Sequence, residues 1–114
     1  MKLSTNDARE IYRHRYILRQ IGKAKEFERD NILRRSPAAL YKCIKSLCRS
    51  LVDGRIRLTN KHRTTLAPHH ELIRELARGT NKTIKSQALM SGNGLGSFLK
   101  SVVPIVLPIL AALL

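Results

Sequence analysis

Ser36-Pro37-Ala38-Ala39-Leu40-Tyr41-Lys42-Cys43-Ile44-Lys45-Ser46-Leu47-Cys48-Arg49-Ser50-Leu51-Val52-Asp53-Gly54 reads as one helix from end to end. A serine before a proline is an N-cap followed by the imino acid favoured at the first helical position. Leu40, Ile44, Leu47 and Leu51 follow at spacings of 4, 3 and 4, which places them on one face. Lys42, Lys45 and Arg49 fall largely off that face. Asp53-Gly54 supplies a glycine C-cap. A helix with one apolar face needs a second surface to cover it, so the neighbouring segments decide the architecture.

Downstream, Arg55-Ile56-Arg57-Leu58 alternates and reads as an extended connector that plugs Ile56 and Leu58 into a core. Thr59 or Asn60 caps a single turn through Leu66, and Pro68 opens a third helix that Gly79 stops. Leu72, Ile73, Leu76 and Ala77 form its inner face, and Thr80 to Met90, with Ile84, Ala88 and Leu89, adds a fourth short turn. No strand pair suggests itself. Upstream, Asn6 or Asp7 caps a first helix running to about Leu33. Its apolar residues Ile11, Leu18, Ile21, Phe27 and Ile32 are loosely spaced among Arg9, Arg13, Arg15, Arg19, Lys23, Lys25 and Arg29. That helix is expected to need a partner to pack on; a solvated surface helix is the other reading. The fold class is therefore all-α, a small domain of short helices with a basic N-terminal helix and an apolar C-terminal tail.

The charge is split along the chain. Residues 1–90 hold 21 of the 22 Lys and Arg and all 8 acids, a net +13, whereas residues 91–114 carry Lys100 alone. The boundary is Met90-Ser91-Gly92-Asn93-Gly94-Leu95-Gly96. Four segments result: a basic front at 1–35, a helical domain at 36–90, a glycine-rich junction at 91–96 and an apolar tail at 97–114. A net charge of +14 on 12.9 kDa predicts attraction to a polyanion or an anionic membrane.

Catalytic and metal signatures are missing. Among His62, His69 and His70, the adjacent pair begins a helix and diverges by about 100°. HEXXH, GXSXG, a P-loop and GXGXXG are absent. Glu71 and Glu75 read as surface ion-pair partners of Arg74 and Arg78. Cys43 and Cys48 diverge by about 140° on their helix and read as reduced thiols, Cys43 half buried. Aromatics are few, so a deep ligand pocket is not expected. The chain reads as non-enzymatic and free of cofactors and metals.

The basic residues carry the functional expectation. Phosphate neutralisation needs only cationic side chains within reach of a nucleic-acid backbone. Arg34, Arg35, Lys42, Lys45, Arg49, Arg55, Arg57, Lys61 and Arg63 are the candidate nucleic-acid contacts, sequence-independent and suited to double-stranded DNA. A helix-turn-helix is disfavoured, because about 15 residues separate the helices at 37–52 and 68–78 where that motif uses about 3–4. The tail is charge-free for 14 residues from Ser101, short of the roughly 20 a spanning helix takes. Pro104 and Pro108 each remove a helical hydrogen bond. Phe98, Leu99, Val103, Ile105, Leu107, Ile109 and Leu110 are its candidate contacts with a membrane or a protein partner; a tail packed on its own domain is the remaining reading. The N-terminal residues are charged and include no apolar signal segment, which predicts synthesis in the cytosol.

Met90-Ser91-Gly92-Asn93-Gly94 resembles the sites cut by adenovirus-type maturation proteases: Met, Ile or Leu, any residue, Gly, any residue, then Gly, with the cut before the last Gly. The implied processing site is Met90, Gly92, Asn93 and Gly94, cut between Asn93 and Gly94. The plan as a whole resembles the precursor of the small basic core peptide of adenoviruses and related proteins of Polinton and adintovirus elements. Leu33 to Leu51 and Leu58-Thr59-Asn60-Lys61-His62-Arg63 share in that resemblance, which covers about residues 33–114. It implies a virion protein packaged with DNA, made in the host cytosol and carried to the nucleus, with capsid proteins, a maturation protease or a membrane as further partners. The adenoviral peptide is far richer in arginine and lacks an evident helical domain, so binding is implied more firmly than condensation. Two other readings stay open: a membrane-active protein that inserts its C-terminal tail, and a cement protein of the capsid interior.

Overall fold

The computed structural model describes residues 3–80 and 93–114, and every regular element among them is a helix. In chain order these are α1 (Thr5–Arg13), α2 (Arg15–Lys23), α3 (Glu26–Arg35), α4 (Ala38–Val52), α5 (Asn60–Leu66), a 3-10 turn (Ala67–His69), α6 (His70–Arg78) and α7 (Asn93–Leu113). The short turn expected between Thr80 and Met90 lies outside the described residues, apart from Thr80 itself.

The single helix expected from Asn6 or Asp7 to about Leu33 is three helices, and its cap is Ser4, whose hydroxyl accepts from Asp7 N at 3.1 Å. The physical reason lies in the carbonyls. At His14 the ladder tightens: His14 N bonds Ile11 O at 3.2 Å, and the freed Glu10 O meets His14 Nδ1 at 2.9 Å. Arg15 Nη1 donates to Tyr12 O at 3.0 Å. At the second break Arg29 reaches back to the end of α2, donating from Nε to Ile21 O (3.1 Å) and from Nη2 to Ala24 O (2.7 Å). Side chains thus take up carbonyls that an unbroken helix would pair, which makes a turn affordable at each point.

Helix α4 forms as its apolar stripe predicts, with Leu40, Ile44 and Leu47 buried and Leu51 half-buried. Its start differs. Pro37 is the N-cap, and Ser36 instead closes α3, its hydroxyl donating to Ile32 O and its N–H to Leu33 O. The hydroxyl of buried Tyr41 also donates to Leu33 O, which fastens α4 to the end of α3. At the far end Gly54 takes a φ of +70°, Gly54 N bonds Leu51 O and Arg55 N bonds Ser50 O. That is a Schellman closure, and glycine is favoured there because a Cβ is costly at positive φ.

Ile56 is buried and Leu58 half-buried in the connector, as the alternation predicts. Thr59 is the cap of α5, in a capping box with His62: Thr59 Oγ1 accepts from His62 N at 3.2 Å and Thr59 N donates to His62 Nδ1 at 3.4 Å. Pro68 sits in the 3-10 turn that leads into α6, and Ile73 and Leu76 are buried.

The apolar C-terminal segment is the longest helix, and it lies inside the fold. α7 packs along α2 and also touches α1 and α5, while α4 packs along α6 and across α1. Leu95, Phe98, Leu99, Val102, Val106 and Leu110 are nearly inaccessible. Pro104 and Pro108 are exposed on its outer side, and the helix runs on through both. The fit to α2 is close: a Cβ on Gly22 would stand 2.9 Å from Lys100 N and 3.3 Å from Leu99 C. The partner that the front helices need is thus α7 of the same chain. A radius of gyration of 12.9 Å, against about 13 Å for a folded chain of 100 residues, leaves no room for a detached tail.

Candidate nucleic-acid interface

Helix α4 carries the most regular set of cations. Lys42, Lys45 and Arg49 stand at i, i+3 and i+7, within about 60° of arc, opposite the buried stripe. Lys42 and Arg49 are exposed and Lys45 is half-buried. Arg34 and Arg35 are exposed in the last turn of α3, where cations also favour the helix C-terminus. Arg57, Lys61 and Arg63 are exposed on the connector and α5. Among the described residues Arg55 is the one of these nine in an ion pair, with Asp53 at 3.5 Å. The other eight make no ion pair among the described residues.

The structure brings three of the nine together. Arg55, Arg57 and Arg63 line an open cleft of about 1240 Å³ with His70 and Arg74. Its floor is aliphatic, formed by Leu51, Ile56, Leu66, Ile73 and Ile109 among others, and no acid lines it. Arg55 Nε is buried with no hydrogen-bond acceptor. Sequence reasoning missed Arg74 and His70, and it did not foresee a cleft. The signal was Pro68, which turns α6 so that its outer residues face the connector.

The candidate tail contacts are placed by α7. Phe98, Leu99, Val103, Leu107 and Leu110 are buried against the rest of the fold, and Ile105 and Ile109 are half-buried. By length and composition Gly94–Leu113 suffices to cross a membrane, and half of that span is buried inside the structure. Of the candidate processing site, Met90 and Gly92 lie outside the described residues, while Asn93 and Gly94 are the first two residues of α7.

Cys43, Cys48, Tyr41, His62 and His69 take part in packing and capping. Burial, reinforced by the Glu10 carboxylate, pushes the Cys43 thiol up to about 12; burial, with Cys43 nearby, pushes Cys48 up further. Both are free and buried, Cys43 more deeply than its spacing suggested. A thiol held neutral in this way is a poor nucleophile and a poor metal ligand. Desolvation also raises Tyr41. His62 serves the α5 cap, and His69 faces the Phe98 ring at 6.0 Å. No three His, Cys, Asp or Glu among the described residues converge to hold a metal.

Compared with protein-family models, with characterised proteins and with solved structures, the chain gives no match.

Proposed function

We propose that this protein is a non-enzymatic, basic virion protein of an adenovirus-like virus or element that binds packaged double-stranded DNA through its phosphates. The observation that supports this most is the α4 stripe of Lys42, Lys45 and Arg49, free of acid partners among the described residues and backed by a rigid helix. Arg34, Arg35, Arg55, Arg57, Lys61 and Arg63 extend the same chemistry over the surface. Scattered cations suit a backbone that is read for charge and not for sequence. The virion setting and maturation between Asn93 and Gly94 rest on the resemblance of the junction and of the overall plan.

The test is DNA binding by the full chain, titrated against salt. Neutralising several phosphates makes the logarithm of affinity fall linearly with the logarithm of salt, with a slope near −0.9 per phosphate. Lys42→Gln/Lys45→Gln/Arg49→Gln is expected to flatten that slope by about 2–3. An unchanged slope removes α4 from the interface, and a flat slope in the parent protein ends the proposal.

A second reading is favoured by one observation, the 20-residue apolar span in α7. In it the protein associates with a membrane by releasing α7, which would uncover Ile11, Leu18 and Ile21. Vesicle leakage that depends on α7, without salt-sensitive DNA binding, supports that reading over the first.

A further inference from the structure

We propose that the cleft between the end of α4, the connector, α6 and the end of α7 binds an anionic phospholipid, acyl chain on its floor and phosphate on its arginine rim. This goes beyond DNA binding, for which an aliphatic floor has no use.

The walls define the occupant. The polar side chains lining the cleft are Arg55, Arg57, Arg63, Arg74 and His70; none is an acid, amide or hydroxyl. The recognition offered is therefore for an anion, and the arginine fork matches phosphate oxygens in pairs. Arg55 is held at the rim by its ion pair with Asp53 at 3.5 Å, which leaves Arg57, Arg63 and Arg74 as the cations open to an incoming anion. The floor below is branched aliphatic carbon, which an acyl chain covers with no polar group left unpaired. An extended peptide would lay its amides on the same carbon, with no side-chain amide or hydroxyl to meet them. The volume of about 1240 Å³ exceeds the roughly 300–1,000 Å³ of sites for compact ligands, as a long amphiphile requires.

The mouth faces a surface. Val52 and Leu113 line the cleft and are about half exposed, at 49% and 46%, and Leu114 beside them is 53% exposed. Large aliphatic side chains left open beside arginines suit the boundary of an anionic bilayer, where the chains enter the acyl region and the cations meet headgroups. Segment 81–92 carries Lys82 and Lys85 and no acid, so it offers no anion to the arginine rim.

The test is sedimentation of the full chain with vesicles of phosphatidylcholine alone and mixed with phosphatidylglycerol. Two double charge reversals are compared, Arg57→Glu/Arg63→Glu at the rim and Lys42→Glu/Arg49→Glu on α4, all at exposed positions and equal in net charge. A third variant, Leu113→Glu, alters the exposed mouth. Thermal melts confirm that each variant folds. The rim and mouth variants are expected to lose binding to the mixed vesicles by about tenfold or more. The α4 variant is expected to keep it while losing DNA affinity, so the two proposals fail separately. Equal losses in both charge reversals, no effect of Leu113→Glu, or a preference for an acidic amphipathic helical peptide over the vesicles would overturn the proposal.

Discussion

Gly22 of α2 lies directly on the backbone of Lys100 in α7: a Cβ at Gly22 would approach Lys100 N to 2.9 Å and Lys100 Cα to 3.2 Å. The obstacle is main chain on a packed helix, so it cannot rotate away. Gly22→Ala should therefore force α2 and α7 apart. Overpacking of this kind costs about 1–3 kcal/mol, which outweighs the roughly 1 kcal/mol that alanine gains over glycine inside a helix. The melting temperature read by circular dichroism is expected to fall by several degrees. A rise would mean that the two helices do not touch at this point.

The same interface explains a buried arginine. Arg29 is 6% exposed, and its guanidinium lies over Gly96 of α7, where a side chain would collide with it. It caps α2 through Ile21 O and Ala24 O. Arg29→Met keeps the stem and removes the donors, leaving carbonyls short of a partner. Bonds to a charged group contribute about 1.5–3 kcal/mol, and a loss of that order is expected in urea unfolding. Arg29→Lys should lose nearly as much, since one ammonium replaces a fork that serves two carbonyls. Full stability in the lysine variant would show that charge alone matters.

The buried thiols couple stability to alkaline pH. Cys43 is raised from an ordinary 9.0 to about 12, and Cys48 is raised as well. Below pH 9 both thiols are protonated whether the chain is folded or not, so they leave stability unchanged. As pH climbs from 9 toward about 12 the unfolded chain releases protons that the folded chain keeps, and stability falls. Each thiol steepens the decline by about 1.4 kcal/mol per pH unit over that window. Cys43→Ala/Cys48→Ala is expected to start less stable, because it leaves cavities, but to decline less steeply above pH 9 in urea titrations. Parallel declines would show that the thiols titrate alike in both states.

The body and end of α4 were legible because the 4-3-4 spacing, the alternating connector and the closing glycine agreed; its start was not, because Ser36 is drawn into closing α3. The breaks at His14 and Ala24 were not, since they depend on side chains capturing carbonyls, one of them across the turn from Arg29. The role of α7 was hidden for a different reason. Pro104, Ile105, Pro108 and Ala111 leave its outer side nearly as apolar as its inner one, so no period marks the buried face, and two prolines imitate breakers. Charge foretold that the nine candidate cations would be mostly exposed. It did not foretell that Arg57 and Arg63 would converge with Arg74, because that depends on how the 3-10 turn directs α6.

That placement of α7 gives the last prediction. Leu95, Phe98, Leu99, Val102, Val103, Val106, Leu107 and Leu110 are all buried. At about 1.5–3 kcal/mol for each side chain taken from water, the eight are worth about 12–24 kcal/mol, which matches or exceeds the roughly 5–15 kcal/mol that holds a small domain together. Residues 1–93 alone should therefore lose far more helical signal than the 20 removed residues of α7 contribute, and should melt without a cooperative transition. Cutting the intact chain between Asn93 and Gly94 is a different experiment, because the two pieces begin packed. They are expected to co-elute after the cut and to part in mild denaturant, at a lower midpoint than the uncut chain. If residues 1–93 melt cooperatively at the parent temperature, α7 contributes nothing to the core, and the Gly22–Lys100 contact with it.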